Sequence, residues 1–180
     1  MIAGVLIAAE LTFWLLLGAG LWARYRMGRR QLGAVLLALT PLVDLVVLGA
    51  SVADLRGGAV ATSWHALAAV YIGVSVAFGA RIVAWADARF AHRYAGVPLP
   101  ARPQRGGPAH ARREREGWYR HLLAWTIGAT LLVTAVAVVG DADRTAALVH
   151  VLRVWTAVLA IDFLVSFSYT LWPRGAPAAC

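Results

Sequence analysis

Five separate stretches of about twenty mainly apolar residues constrain what this chain can fold into. A helix of about 20 apolar residues crosses the hydrocarbon core of a bilayer. The chain is 61% hydrophobic and only 14% charged, whereas a soluble domain carries about 25% charged residues. We therefore predict an all-α, polytopic transmembrane helical bundle with about five spans. The predicted spans cover residues 2–23, 32–53, 62–84, 121–140 and 146–172.

The 180 residues form a single predicted membrane domain with one long connection. This connection contains a basic loop over residues 92–118, whose middle part is rich in proline, glycine and arginine. Residues 85–94 continue the third span and are compatible with a short amphipathic helix on the membrane surface. Cys180 is the sole cysteine, so no intrachain disulfide is expected.

The distribution of arginine predicts the orientation of the spans. All 17 basic residues are arginine; four follow the first span and eight lie between residues 85 and 120. The connections after spans two and four hold one arginine each. The positive-inside rule then places the N-terminus outside and the basic loop and C-terminus in the cytoplasm. The composition is typical of a bacterial protein, so we expect a multi-pass protein of the bacterial cytoplasmic (inner) membrane.

The net charge of +8 bears on partners as well as on orientation. Arginines next to a span are attracted to anionic lipid headgroups, so the arginine-rich loop is expected to contact the lipid bilayer surface. Nucleic-acid binding is not expected, because no pattern of stacking aromatics accompanies the charge. A membrane protein partner or a homo-oligomer is compatible with the sequence.

Ionisable side chains within the spans are the candidates for function, because burying each one in lipid costs free energy unless it is paired or hydrated. Two interpretations stay open for the outer half of the bundle. Asp44 either pairs with Arg153 and fastens two helices, or forms a cation or proton site with the Leu37 carbonyl that Pro41 leaves free. The candidate outer cluster consists of Glu10, Asp44, His65, His150 and Arg153. Deeper in the bundle, Arg81 and Asp162 form a candidate inner pair.

The fifth span is polar on two faces, because His150 and Arg153 lie nearly opposite Asp162 and Ser166 on a helix. A helix of this kind is expected at the centre of a bundle. His65 and His150 lie at similar depth, and such a pair can ligate haem. Ordinary hydrogen bonding is the simpler interpretation, and no cofactor, metal or catalytic residue is expected. The sequence contains none of the common hydrolase, phosphate-binding or dinucleotide-binding motifs.

Residues 39–98 contain the runs LTPLVDLVVLGASVADLRGGAVAT and IVAWADARF. This segment resembles YmcC-like multi-spanning membrane proteins of bacteria. The resemblance implies a helical membrane fold and a membrane location. It supplies no catalytic position.

The leading hypothesis is a small integral inner-membrane protein without catalytic activity, serving as a structural, partner-binding or lipid-binding component. The alternatives are an ion- or proton-coupled transport protein that uses the outer cluster, and a haem-binding redox protein.

Overall fold

The computed structural model describes residues 2–101 and 106–172, apart from the side chains of residues 2–6, 9–10 and 94–95. Within these residues the chain forms five α-helices and no β-strand. The predicted all-α, multi-spanning bundle is thereby confirmed. The helices are α1 (Ile2–Tyr25), α2 (Arg30–Arg56), α3 (Ser63–Ala95), α4 (Gly107–Val139) and α5 (Ala142–Leu171).

Four of the helices, α2 to α5, are long and apolar enough to cross a membrane over their described residues. Helix α1 has 24 residues and carries a single acidic residue, Glu10, before Arg24 near its end. Its role as a fifth span, and the side of the membrane on which each terminus lies, stay predictions.

The long helices α3 and α4 take up most of the predicted basic loop. Helix α3 continues without a break through residues 85–94, so this segment is not a separate surface helix. No helix-breaking residue occurs before Gly96, which ends α3 in the left-handed conformation at φ 65°. Helix α4 then begins at Gly107, well before the apolar stretch that marks the fourth span.

The two ends of the bundle differ in charge, and we name them accordingly. The acidic-turn end carries the α2–α3 and α4–α5 turns, with Asp54, Asp141 and Asp143. The arginine-rich end carries the α1–α2 turn and the connection between α3 and α4. At the acidic-turn end, the Ala61 amide donates to the Arg144 carbonyl at 2.8 Å, so the two turns are bonded to each other.

Helices α3 and α4 approach each other closely through small residues. Ala69 and Ala124 are fully buried, and Gly73 lies against the backbone of Ala124 so tightly that a Cβ there would overlap its carbonyl oxygen. Gly128 likewise accommodates the ring of Trp155 from α5. Small residues at helical spacing permit this approach in membranes, where dispersion contacts drive helix association.

Helices α3 and α4 hold the central position that the sequence analysis assigned to the fifth span. Helix α5 packs mainly against α4 and less against α3, and much of its surface is exposed. The prediction was wrong because polarity on two faces does not require burial on both. One face of α5 bonds to α4, and the face with His150 and Arg153 points away from the described helices.

Helix α1 is held at the arginine-rich end. A Cβ on Gly33 of α2 would lie 2.6 Å from the Arg24 Cβ and 2.7 Å from the Gly20 carbonyl oxygen, so only glycine permits this approach. The Arg24 guanidinium then binds both carboxylate oxygens of Asp87 on α3, with Nε 2.7 Å from Oδ1. This guanidinium holds the pKa of Asp87 below its ordinary value. Tyr25 also stacks on Phe90, with ring centroids 4.3 Å apart.

Candidate functional site

A lateral groove of about 590 Å³ lies between α1, α2 and α3. Its volume falls within the range of ligand-binding pockets, which is about 300–1,000 Å³. The lining is mostly apolar and aromatic, with a few polar groups. The lining residues are Phe13, Trp14 and Leu17 of α1, Val43, Asp44, Val47 and Ser51 of α2, and Trp64, His65, Leu67, Ala68 and Tyr71 of α3.

The groove follows from helical periodicity combined with the way α1 is attached. On each helix the lining positions recur every three or four residues, so they form one face. Gly33 lets α1 and α2 meet at the arginine-rich end, and the bonds from Arg24 to Asp87 hold α1 to α3 there. The groove-lining part of α1 lies further toward its N-terminus, at Phe13 to Leu17. The groove therefore lies between this attachment and the acidic-turn end.

Among the described residues, Asp44 is the sole acidic residue of the groove lining. It is half-buried, and no described residue forms a hydrogen bond or an ion pair with it. Its carboxyl group thus faces a largely apolar cavity within the predicted second span. An ionisable group in this position is costly without a partner, so it is a candidate binding group.

The Leu37 carbonyl that Pro41 frees accepts a side-chain hydrogen bond, and Leu37 is not among the described residues that line the groove with Asp44. The Thr40 hydroxyl donates to the Leu37 carbonyl oxygen at 2.8 Å and replaces the backbone bond that proline cannot make. Helix α2 consequently continues through Pro41 from Arg30 to Arg56. The sequence analysis considered Pro41 alone, although a threonine directly before a proline can supply this bond.

His65 lines the groove and also caps the N-terminus of α3. The Thr62 amide donates to His65 Nδ1 at 3.0 Å, and the Thr62 hydroxyl lies 2.8 Å from the same atom. A ring nitrogen that accepts a hydrogen bond carries no proton, so the tautomer that fits this contact has its proton on Nε2. Ligation of haem iron through Nε2 would require the proton on Nδ1, where it would oppose the Thr62 amide.

Three large aromatic side chains form the exposed rim of the groove. Trp14 is 60% exposed, Trp64 79% and Tyr71 57%. Phe13 packs edge-on against Trp14, with ring centroids 5.6 Å apart. A guest in the groove would cover these rings.

The structure brings together only part of the predicted outer cluster. Asp44 and His65 line the same groove, whereas the side chains of His150 and Arg153 are exposed on α5. The predicted ion pair between Asp44 and Arg153 is therefore not formed in the described part of the chain. The predicted depths of Asp44 and Arg153 in the membrane would permit the pair, but the face of α5 that carries Arg153 points away from α2. The side chain of Glu10 lies outside the described residues.

The predicted inner pair of Arg81 and Asp162 is not formed either, because Asp162 bonds to another residue. Asp162 Oδ2 lies 2.8 Å from His121 Nδ1 on α4, and the Ser166 hydroxyl donates to the other carboxylate oxygen at 3.4 Å. Arg81 is exposed on α3. Helix α4 extends fourteen residues before His121, so this histidine lies within the helix and faces α5.

The tautomer of His121 follows from its hydrogen bond to Trp155, because an indole N–H donates and cannot accept. The indole N–H of Trp155 donates to His121 Nε2 at 3.1 Å, so Nε2 carries no proton. The proton is then on Nδ1 and is donated to the Asp162 carboxylate. The three side chains form one hydrogen-bonded chain between α4 and α5. The sequence analysis did not predict this bond, since spacing alone does not show which face of one helix meets another.

The described residues contain no group of three or more histidine, cysteine, aspartate or glutamate side chains that could hold a metal ion. The expectation that the protein carries no cofactor stays a prediction.

Comparison with known proteins gives one informative match. The chain is 42% identical over 174 residues to the "Uncharacterized membrane protein YmcC" of Bacillus subtilis (strain 168). The alignment covers 96% of this chain and 93% of that protein. The resemblance drawn from residues 39–98 is thereby confirmed and extends over nearly the whole chain. No family profile matches the chain, and no solved structure matches it.

Proposed function

This chain belongs to the YmcC family of membrane proteins, and on that premise we propose that it is a small lipid-binding component of the membrane. In this proposal the lateral groove holds the apolar part of an amphiphilic molecule that enters from the bilayer. The carboxyl group of Asp44 contacts the polar part of the same molecule. No covalent chemistry is required of the protein.

The groove itself is the observation that carries the proposal. It has a volume of about 590 Å³ and combines an apolar lining with one acidic group, which is the usual constitution of a small-molecule site. It is bordered by three helices that all belong to the membrane bundle, so a guest would reach it from the lipid phase. A core that served packing alone would close around Asp44 or give it a basic partner.

The proposed setting is the bacterial inner membrane, with the arginine-rich end toward the cytoplasm. The exposed Arg112, whose side chain is 77% accessible, supports contact with anionic headgroups at this end. Each arginine near such a surface contributes about 1 kcal/mol to attraction. Its ion pair with Glu116, at 3.0 Å, weakens that attraction but leaves most of the guanidinium accessible.

Photocrosslinking tests the groove directly. We would incubate the protein in dodecyl maltoside micelles with a diazirine-bearing diacylglycerol, irradiate it and map the adducts by mass spectrometry. Adducts are expected on Phe13, Trp14 and Tyr71. Val43→Trp fills the groove and should reduce labelling at these residues several-fold. Val46→Trp is the matched control, because Val46 lies on the same helix, is 59% exposed and does not line the groove.

Adducts spread evenly over all exposed helix faces would contradict the proposal. So would equal labelling of the Val43→Trp and Val46→Trp variants.

Ion- or proton-coupled transport is a second candidate, and the unpartnered carboxyl group of Asp44 favours it. Leu37, whose freed carbonyl a cation site would have used, is not among the described residues that line the groove. A proteoliposome flux assay that compares wild type with Asp44→Asn decides between the two. Flux that depends on Asp44 would support transport, and wild-type vesicles that are no leakier than empty ones would support binding alone.

A further inference from the structure

We propose that the groove selects amphiphiles whose polar group is an organic ammonium, with Asp44 as its counter-ion and the rings of Trp14, Trp64 and Tyr71 around it. This inference rests on the proposed function, since it names the ligand class of the same groove.

The charge of the lining points to a cation. Of the lining residues that the structure describes, Asp44 is the one acidic residue and none is an arginine. The histidine among the described lining residues, His65, accepts the Thr62 amide at Nδ1. The groove therefore offers a negative group without a positive one, and it is complementary to a guest that brings a positive charge.

The aromatic rim points to an organic cation in particular. The face of an indole or phenol ring attracts ammonium groups, and quaternary ammonium ligands are commonly held by several such rings. Trp14 stands on α1, while Trp64 and Tyr71 stand on α3, so the rings border the groove from two sides. All three are more than half exposed, so a guest can contact them without displacing packed neighbours.

An inorganic cation fits the groove poorly. Such ions require several oxygen ligands, whereas the described lining residues offer side-chain oxygen only from the Asp44 carboxyl and the hydroxyls of Ser51 and Tyr71. The Ser51 hydroxyl donates to the Val47 carbonyl at 2.8 Å within its own helix. The apolar lining instead suits a guest whose charge is attached to hydrocarbon.

An anionic amphiphile fits least well. A phosphate or sulfate group would meet the Asp44 carboxylate and find no basic side chain in the lining. The expected order of affinity among amphiphiles with the same chain is therefore ammonium, then neutral, then anionic.

Competition against the diacylglycerol probe tests this order. Dodecyltrimethylammonium, dodecanol and dodecyl sulfate share one chain length and differ in charge. We expect the ammonium compound to halve groove labelling at a concentration at least about tenfold lower than dodecanol. Equal potency of the ammonium compound and dodecanol on wild type would overturn the inference, as would a higher potency of the sulfate.

Two variants assign the selectivity to the groove. Asp44→Asn keeps the shape of the side chain and should reduce the ammonium advantage to within about threefold, while the neutral probe still labels the protein. Asp54→Asn on the same helix lies outside the lining and should keep the full advantage. Trp64→Leu, at a position 79% exposed, removes one ring without disturbing the core and should reduce the advantage several-fold.

The outcomes separate the two proposals. Groove labelling by the neutral probe without ammonium selectivity would refute this inference and leave the lipid-binding function intact. Absence of groove labelling by the probe would refute the proposed function itself. Size-exclusion chromatography shows whether each variant is folded. If Asp44→Asn does not fold, the wild-type series and Trp64→Leu decide.

Discussion

Substitution of Gly73 by alanine is expected to weaken the bundle more than its small size suggests. A Cβ at this position would overlap the Ala124 carbonyl oxygen and would lie 3.2 Å from the Ala124 carbonyl carbon and 3.3 Å from the Gly128 nitrogen. All three atoms belong to the backbone of α4, so no side chain can rotate away to make room. The helices themselves must move apart, and the buried contacts of Ala69 and Leu132 loosen.

The magnitude follows from two opposing terms. Overpacking of a close interface costs about 1–3 kcal/mol, whereas replacing glycine by alanine in a helix gains up to about 1 kcal/mol. We therefore expect Gly73→Ala to lower the free energy of unfolding by about 1–2 kcal/mol. Gly79→Ala is the matched control on the same helix, because no atom lies within 4 Å of its Cβ position. That variant should be neutral or slightly stabilised.

Reversible unfolding in mixed micelles of dodecyl maltoside and sodium dodecyl sulfate, followed by circular dichroism, measures both free energies. If Gly73→Ala proved as stable as Gly79→Ala, the close approach of α3 and α4 would be refuted.

Three further predictions concern the polar contacts of the bundle. Because Arg24 holds the pKa of Asp87 below its ordinary 3.8, their ion pair stabilises the fold above about pH 4, and this stability should fade as pH falls through the lowered pKa. Trp155→Phe removes the donor to His121 Nε2 and should cost about 0.5–1.5 kcal/mol in the same unfolding assay. Asp141→Ala removes the side chain that accepts the amides of residues 143 and 144 at the start of α5 and should cost about 1 kcal/mol.

Each of these has a control. Asp87→Asn should remove the acid-dependent part of the stability, so an unchanged pH profile in that variant would contradict the assigned ion pair. Nitrogen-15 NMR of wild-type His121 should show the proton on Nδ1, and a proton on Nε2 would contradict the bond from Trp155. Asp141→Ser retains an acceptor and should keep most of the stability that the alanine variant loses.

The helices were largely predictable from the sequence, while their ends were less so. The length of an apolar stretch indicates which part of a helix lies in lipid. It does not indicate where the helix ends. Residues 85–95 extend α3 because helix-forming residues continue up to Gly96, whose positive φ then ends the helix. Helix α4 likewise begins ahead of the predicted fourth span: the sequence indicates helical character over residues 112–119, and the helix starts at Gly107.

The candidate site was predictable only in part. The cost of a carboxyl group in lipid identified Asp44 from the sequence, and the structure places it in the groove with His65. Its proposed partner Arg153 was wrong because depth along two helices does not determine their rotation about their axes. The bond between His121 and Asp162 could not be predicted for the same reason, because the sequence does not give the rotation of each helix about its axis. The aromatic rim was not predicted, because helix packing and not sequence position brings Trp14, Trp64 and Tyr71 to one groove.

The most direct test of the central claim is a crystal structure of the protein grown from a lipidic mesophase. It would show what occupies the space beside Asp44. We expect elongated density for an amphiphile between α1 and α3, with its polar group near the Asp44 carboxyl and its chain along Leu17 and Val47. A groove closed by α1, or an arginine side chain bound to Asp44, would contradict the account.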